Sequence, residues 1–286
     1  MRHSFGRTLA AAAIAMTAST AARADAVKDV ELVVNEETTL ITRAAPPAAV
    51  DGILPEILSG WLFREDDTRE MQMDDFSNPA SVFVDIGNDV WNMPDGTEGK
   101  SCASCHDDIS SLKTTRATMP KMNAAGDDLW SMENFINGCR TERMGAEAWE
   151  WSSDAMMNMT AAISVAGRGE IVAPVIDGPA AEWWAKGKEM YYTRYGQLEL
   201  SCASCHEQNY GNMIRADHLS QGQLSGFPVY RLKNAGLVSI HNRFKGCIRD
   251  TRAETFKEGS PEFRALELYV ASRGAGLSVE GVGVRP

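Results

Sequence analysis

The chain has 286 residues, a formal charge of −11 at pH 7 and six cysteines. Such an acidic surface argues against binding to nucleic acid and to anionic membrane faces. No stretch beyond the N-terminus is apolar over about 18 residues, so we expect no membrane insertion.

Residues 1–26 are predicted to be a secretory signal peptide. Arg2 and Arg7 make its start positive, residues 9–16 form a short apolar run, and residues 22–26 offer small-residue cleavage sites. Its removal takes away three arginines and one aspartate, a net +2, and leaves −13. We therefore expect a periplasmic protein, in a compartment where an even number of cysteines favours disulfides.

Residues 27–78 are predicted to form an N-terminal extension without chemistry of its own. The segment contains Trp61 to Phe63, which are apolar enough for docking, and the charged run Arg64 to Asp75. We expect the extension to wrap around the first domain or to meet a partner. The acidic part of this run is interpreted as a solvated face.

A tandem repeat follows the extension. Residues 79–106 and 179–206 share ten identities over 28 aligned positions at a constant offset of 100 residues, and beyond this block the offset grows to 108. The repeat predicts two domains, at residues 79–175 and 176–286.

Each repeat is predicted to be mainly helical. Pro179 suits a first helical turn, and Gly187 within the same helix would let another backbone approach closely. Ser260 and Pro261 start a last helix, which Gly274 ends. A glycine-bearing first helix crossed by an aromatic last helix resembles class I cytochromes c. We therefore predict a mainly α fold of two class I cytochrome c-like domains behind the extension.

Each repeat also contains one Cys-x-x-Cys-His motif. The six residues are Cys102, Cys105, His106, Cys202, Cys205 and His206. Two cysteines three positions apart on a helical turn can each add to a haem vinyl group, and the adjacent histidine reaches the iron. Zinc would require further paired ligands, and a thioredoxin-like redox motif would require a strand-and-helix context. We therefore predict two covalently bound c-type haems, each with its motif histidine as an axial ligand.

The second axial ligand is open to several interpretations. Methionines and histidines are available but do not repeat; they are Met119, Met122, Met156, Met157, Met159, His218 and His241. Cys139 and Cys247 do repeat. They could form a disulfide, be inert thiols or be axial thiolates, and equivalent positions beside separate haems favour thiolates. Thiolate ligation would lower the haem potentials.

The two halves differ in charge just before the paired cysteines. The first half reads FINGC at residues 135–139, and the second reads RFKGC at residues 243–247. On a helix, Arg243 and Cys247 would share one side. Arginines near a haem can instead pair with propionates, as Arg140 or Arg249 could. We favour an anion site in which Cys247 reacts, because a guanidinium beside a low-pKa thiolate suits a small sulfur oxyanion.

The signal peptide, the two haem motifs and the RFKGC stretch resemble the SoxA family, the dihaem subunits of the SoxAX cytochromes of bacterial thiosulfate oxidation. The resemblance covers essentially the whole chain after residue 26. It implies haem attachment and axial ligation by a defined set: Cys102 and Cys105 with His106 and Cys139, and Cys202 and Cys205 with His206 and Cys247. It also implies that Cys247 is the catalytic residue, found as a persulfide, and that Arg243 binds substrate.

The resemblance further implies the reaction and the partners. The expected enzyme is an L-cysteine S-thiosulfotransferase, which conjugates thiosulfate oxidatively to a cysteine of the SoxY subunit of the SoxYZ carrier. Electrons would pass to the haem of a SoxX subunit, the partner in a heterodimer, and on to a soluble cytochrome c. Arg243 and Lys245 could attract the thiosulfate dianion.

Two other functions fit the residues alone. One is a dihaem electron-transfer cytochrome without sulfur chemistry of its own, and the other is a non-redox scaffold for a partner haem protein. A redox titration separates the enzyme from the electron-transfer cytochrome, because two thiolate-ligated haems should resist reduction by ascorbate.

Overall fold

The computed structural model describes residues 26–50 and 52–286, so residues 1–25 of the predicted signal peptide lie outside the described residues. Helices dominate this part of the chain: α1 (Asp66–Met73), α2 (Ser81–Asn92), α3 (Ala103–His106), α4 (Met132–Cys139), α5 (Asp154–Ala166), α6 (Ala181–Tyr192), α7 (Cys202–His206), α8 (Ile240–Asp250) and α9 (Pro261–Arg273). Single helical turns occur at Gly60–Phe63, Ile109–Leu112, Arg116–Thr118, Arg140–Met144, Gly178–Ala180 and Leu232–Asn234. The predicted mainly α architecture is confirmed.

The strands are short and form small sheets at the edges of the helices. They are β1 (Leu32–Val34), β2 (Thr38–Leu40), β3 (Arg43–Ala44), β4 (Ile57–Leu58), β5 (Lys121–Met122), β6 (Leu129–Trp130), β7 (Met213–Ile214), β8 (Asp217–His218), β9 (Val229–Arg231), β10 (Gly236–Val238) and β11 (Gly283–Arg285). All pairs are antiparallel hairpins except β11, which runs parallel to β9. Within the described ranges, no helix combines the length and the apolar character needed to cross a bilayer.

In each half the first helix packs across the last one, α2 on α5 and α6 on α9. A Cβ atom at Gly87 would lie 2.2 Å from the carbonyl oxygen of Asn158, and one at Gly187 would lie 2.0 Å from that of Ala265. Only glycine allows the two backbones to meet this closely. The close approach predicted at Gly187 is confirmed, and it recurs at the equivalent residue of the first half.

Serine side chains start the functionally important helices. Ser131 caps α4 and Ser239 caps α8, at positions 108 residues apart. The last helix α9 begins as predicted, because the Ser260 hydroxyl accepts a hydrogen bond from the backbone N–H of Phe263, and it ends at Gly274. These caps satisfy N–H groups that the first turn of a helix leaves free.

The N-terminal extension packs on the second half and also contacts the first, where Arg168 pairs with Asp75 at 2.7 and 2.8 Å. The expectation that it wraps the first domain therefore describes only part of its contacts. Phe63 belongs to an apolar cluster with Tyr210 and Leu277. Gln72 of α1 donates a hydrogen bond to Glu280 at 2.7 Å. The apolar C-terminal segment thus supplies the surface that the extension covers.

The charged run that begins the extension's helix is partly internal. Arg64 is only 3% exposed and Arg69 only 8%. Arg64 forms an ion pair with Asp217 and donates to the carbonyl oxygen of His218 at 2.6 Å. Arg69 is held within the extension, by the carbonyl oxygen of Arg64 and by Asp66. The acidic residues at positions 65, 66, 67, 70 and 74 are exposed, as a solvated face requires, and only the two arginines point inward.

A buried ionisable cluster joins the two halves. Ser131 of the first half donates a hydrogen bond to Glu267 of α9, whose Oε2 lies 3.2 Å from Nε2 of His241. Burial raises the pKa of Glu267, but hydrogen bonds from His241 and Ser131 outweigh it and lower the pKa. Burial and the neighbouring Glu267 carboxylate raise the pKa of Glu133 to about 7. One carboxyl of the pair is therefore ionised while the other titrates near neutral pH.

Candidate functional site

The three cysteines of the second half form one cluster. Cys202 and Cys205 lie on α7, and Cys247 lies on α8. Burial raises the pKa of Cys202 to about 12, and the Cys247 thiol adds to that increase. Burial and Cys247 also raise the pKa of Cys205, which Arg243 opposes. The third cysteine thus lies within electrostatic range of both motif thiols.

The first half repeats this arrangement. Burial raises the pKa of Cys102, with Cys139 as the next cause. Burial likewise raises the pKa of Cys139, and Cys105 contributes to the increase. No disulfide joins any two of the six cysteines, all of which lie in the described residues. The disulfide interpretation of Cys139 and Cys247 is wrong, because each lies beside the motif of its own half.

The imidazole of His206 is held in one orientation. Its Nδ1 lies 2.8 Å from the carbonyl oxygen of Ser220, and a carbonyl can only accept, so Nδ1 donates. Gly222 has a φ of +78°, and a Cβ there would lie 2.9 Å from the ring. Burial lowers the pKa of His206 to about 4. The ring is therefore neutral, with Nε2 left to bind a metal.

His106 in the first half has a different environment. Its ring centre lies 5.9 Å from that of Trp91, whose Nε1 donates to the carbonyl oxygen of Asp107 at 2.9 Å. Within residues 26–50 and 52–286, no hydrogen bond to the His106 imidazole is found. The second half carries the hairpin of β7 and β8 between its motif and Ser220, where the repeat offset grows by eight residues. The carbonyl oxygen that orients His206 follows this hairpin directly.

The second half contains buried hydrogen-bond donors without an acceptor. Arg273 is fully buried and pairs with Glu207 through Nη1 at 2.5 Å, but its Nε and Nη2 have no partner. The hydroxyl of Tyr191 is also buried without one. Arg273 lies within electrostatic range of Cys202 and His206. A haem propionate is an acceptor that satisfies such a guanidinium, so these residues fit a haem.

Sequence reasoning missed Arg273 and proposed Arg140 or Arg249 as propionate partners. Arg140 donates to Asp95 at 2.8 Å and stacks 3.8 Å from the ring centre of Trp149. A difference between the two repeats points to Arg273. The last helices α5 and α9 both have 13 residues, and the first ends at Ala166 where the second ends at Arg273.

A zinc interpretation of the motifs finds no support in the described part of the chain. No three His, Cys, Asp or Glu side chains there are arranged to hold a metal ion. A haem site requires fewer protein donors, because the porphyrin supplies four nitrogens.

Arg243 is an uncommitted cation beside Cys247. It lies one helical turn before Cys247 on α8, and no hydrogen bond or ion pair engages its guanidinium among the described residues. Lys245, by contrast, lies 3.0 Å from a carboxylate oxygen of Glu258. Lys245 therefore has a carboxylate partner that Arg243 lacks, and its expected part in attracting the substrate stays a prediction.

The fold and the site define a cytochrome c-like protein with two domains. Each half places a Cys-x-x-Cys-His helix beside one further cysteine, next to a first and a last helix that cross at glycine. A family model described as "SoxA/TsdA, cytochrome c domain" matches residues 86–172 and 186–279. The chain belongs to this SoxA/TsdA cytochrome c family, as the sequence predicted, and its cytochrome c domains imply haem.

Full-length relatives agree with this assignment. The chain is 56% identical over 281 residues to a protein from Paracoccus pantotrophus, with 97% of each chain covered. It is 53% identical over 286 residues to one from Rhodovulum sulfidophilum, with both chains covered completely. Both relatives are named L-cysteine S-thiosulfotransferase subunit SoxA. A crystal structure of SoxXA from P. pantotrophus matches with a TM-score of 0.88 at 56% identity, covering 91% of this chain and 100% of that one.

Proposed function

We propose that the chain is the SoxA subunit of a periplasmic L-cysteine S-thiosulfotransferase, which conjugates thiosulfate to a cysteine of the SoxY subunit of SoxYZ. The observation that carries the proposal is the free guanidinium of Arg243 one turn before Cys247. Its counterpart in the first half is Phe135. The names of the full-length relatives support the same reaction.

The chain would hold two covalently bound c-type haems. Thioether bonds would form at Cys102, Cys105, Cys202 and Cys205, and the axial ligands would be His106 with Cys139 and His206 with Cys247. When bound, the haems supply one-electron transfer, and the two electrons of each turnover would leave through SoxX to a soluble cytochrome c. With domain limits of 79–175 and 176–286, each half would hold one haem.

Arg243 would bind the sulfonate oxygens of thiosulfate. A guanidinium presents paired N–H donors that match two oxygens of an oxyanion. Because Arg243 and Cys247 are one turn apart on α8, this contact would direct the terminal sulfur of thiosulfate towards the Cys247 sulfur.

The sulfur chemistry then balances in two steps. In the first step the Cys247 thiolate and the terminal sulfur of thiosulfate form a sulfur–sulfur bond, and two electrons are removed. In the second step the thiolate of the carrier cysteine attacks that terminal sulfur and releases the Cys247 thiolate. The carrier leaves as an S-thiosulfonate.

A matched pair of variants tests this proposal. Cys139→Ser and Cys247→Ser change equivalent residues of the two halves, and each removes one proposed axial thiolate. The variants are compared in the complex with SoxX, by thiosulfate-dependent and SoxYZ-dependent reduction of cytochrome c. We expect Cys247→Ser to abolish turnover and Cys139→Ser to retain most of it.

Mass mapping of the unreduced Cys247 peptide after turnover provides the second readout. An added sulfur or a thiosulfate-derived adduct at Cys247, absent at Cys139, is the expected result. Full turnover by Cys247→Ser would refute the proposal and favour an electron-transfer cytochrome without sulfur chemistry.

A further inference from the structure

Four arginines form a series of electrostatic neighbours that reaches Cys247: Arg285 with Arg64, Arg64 with Arg231 and Arg243, and Arg231 with Cys247. Two of the four already have carboxylate partners. Arg64 is engaged by Asp217 and by a backbone carbonyl. Arg285 lies 3.4 Å from the carboxylate of Glu280 and donates to Gln72 at 2.9 Å. These two cations are therefore held in place by the fold and have little capacity left for a ligand.

The other two arginines, Arg231 and Arg243, keep their terminal donors free. Arg231 donates from Nε to the carbonyl oxygen of Pro286 at 2.7 Å. No other hydrogen bond or ion pair involves its guanidinium in the part of the chain that the structure describes. The Nε contact fixes the side chain and leaves both terminal NH2 groups available. Arg231 is thus a positioned guanidinium whose two terminal NH2 groups have no protein partner.

The fold brings Arg231 towards the same site as Arg243 from a different element. Arg231 ends β9, which pairs with β10, and β10 leads through Ser239 directly into α8. Burial and the neighbouring Arg243 lower the pKa of Arg231, whereas the Cys247 thiol raises it. Each of the three groups is therefore within electrostatic range of the others.

The first half lacks both cations. At the offset of 108 residues, Asn123 stands where the second half has Arg231, and Phe135 stands where it has Arg243. Asn123 is used locally, because its side chain donates to Asp127 at 2.8 Å. The pair of free guanidinium groups is therefore a property of the Cys247 site.

We propose that Arg231 is a second substrate-binding residue, which together with Arg243 holds a doubly charged tetrahedral sulfur oxyanion against Cys247. The inference rests on the proposed function and extends it to substrate selection. Two guanidinium groups on separate elements carry the two positive charges that match a dianion. They can also donate to its three oxygens from different directions. A singly charged anion gains less from such a pair.

The test uses the holo complex with SoxX and three variants, Arg231→Gln, Arg231→Lys and Lys233→Gln. Lys233 is an exposed cation two residues away, so its variant is a control for the loss of charge. We expect Arg231→Gln to raise the KM for thiosulfate roughly 10- to 100-fold with kcat within about twofold. Arg231→Lys should recover part of the KM, and Lys233→Gln should resemble the unmodified protein.

Two further measurements separate substrate binding from other roles of Arg231. If Arg231 only anchors Pro286, the glutamine variant unfolds at lower temperature with an unchanged KM, which would overturn the inference. If Arg231 pairs with a haem propionate instead, the variant shifts the reduction potential of the second haem, which would also overturn it.

Calorimetric binding of thiosulfate keeps the inference independent of turnover. Weaker binding by Arg231→Gln supports it even if the unmodified complex shows no SoxYZ-dependent activity, a result that would refute only the proposed function. Equal binding by the variant and the unmodified protein refutes the role of Arg231.

Discussion

Replacement of Glu133 by glutamine should stabilise the protein in a pH-dependent way. Glu133 lies in the buried cluster between the halves, where burial and the Glu267 carboxylate raise its pKa from 4.5 to about 7. Each pKa unit corresponds to 1.36 kcal/mol, so the full cost of ionising Glu133 in the folded protein is about 3 kcal/mol. Glutamine has a similar shape and no charge, so Glu133→Gln removes this cost.

The pH window follows from the two protonation states. Below pH 4.5 the carboxyl is protonated in both the folded and the unfolded chain, and it contributes no pH-dependent difference. Between pH 4.5 and 7 the unfolded chain loses the proton while the folded chain keeps it, so the free energy of unfolding falls as pH rises. Above pH 7 both states are ionised and the whole cost is present.

Urea unfolding, followed by far-ultraviolet circular dichroism from pH 4.5 to 8.5, measures this effect. We expect Glu133→Gln and the unmodified protein to have similar free energies of unfolding at pH 4.5, and a gap of about 2–3 kcal/mol in favour of the variant at pH 8. Glu262→Gln is the control with the opposite sign, because hydrogen bonds from the backbone and from Lys186 lower the pKa of Glu262. A gap that does not change with pH would refute the reasoning.

Three further predictions concern packing, ligand orientation and the extension. Gly187→Ala should lower the free energy of unfolding in urea by about 1–3 kcal/mol, because its Cβ would lie 2.0 Å from a backbone oxygen. The control Gly236→Ala, whose Cβ would have its nearest neighbour at 3.8 Å, should change it little. Equal effects would contradict the close crossing of α6 and α9. Gly222→Ala should push the His206 ring and shift the absorption spectrum and potential of the second haem alone, and a shift of both haems or of neither would count against this contact. Arg168→Gln breaks a two-point ion pair with Asp75 of the extension, at 2.7 and 2.8 Å. It should lower the free energy of unfolding by about 1 kcal/mol and speed limited proteolysis of the extension. Unchanged proteolysis would show that Arg168 does not hold the extension in place.

Local patterns made much of the helical scaffold predictable. The start of α9 at Ser260 and Pro261 and its end at Gly274 follow from capping chemistry, which depends only on neighbours in sequence. The close helix crossing predicted at Gly187 recurs at Gly87, because the duplicated units bury the same helix faces. The placement of the extension was not predictable in this way. Its apolar residues could have covered either half, and only the contact with Leu277 and Tyr210 decides the matter.

By itself, the sequence determined the chemistry that depends on spacing along the chain. Cys-x-x-Cys-His presents its three groups on one helical turn, and Arg243 reaches the side of Cys247 because four residues make one turn. Only the tertiary structure decided which distant groups lie near these residues. The Ser220 carbonyl on His206, the buried Arg273 and the free donors of Arg231 come from separate elements. Their meeting depends on the packing of loops and sheets, which no local pattern encodes.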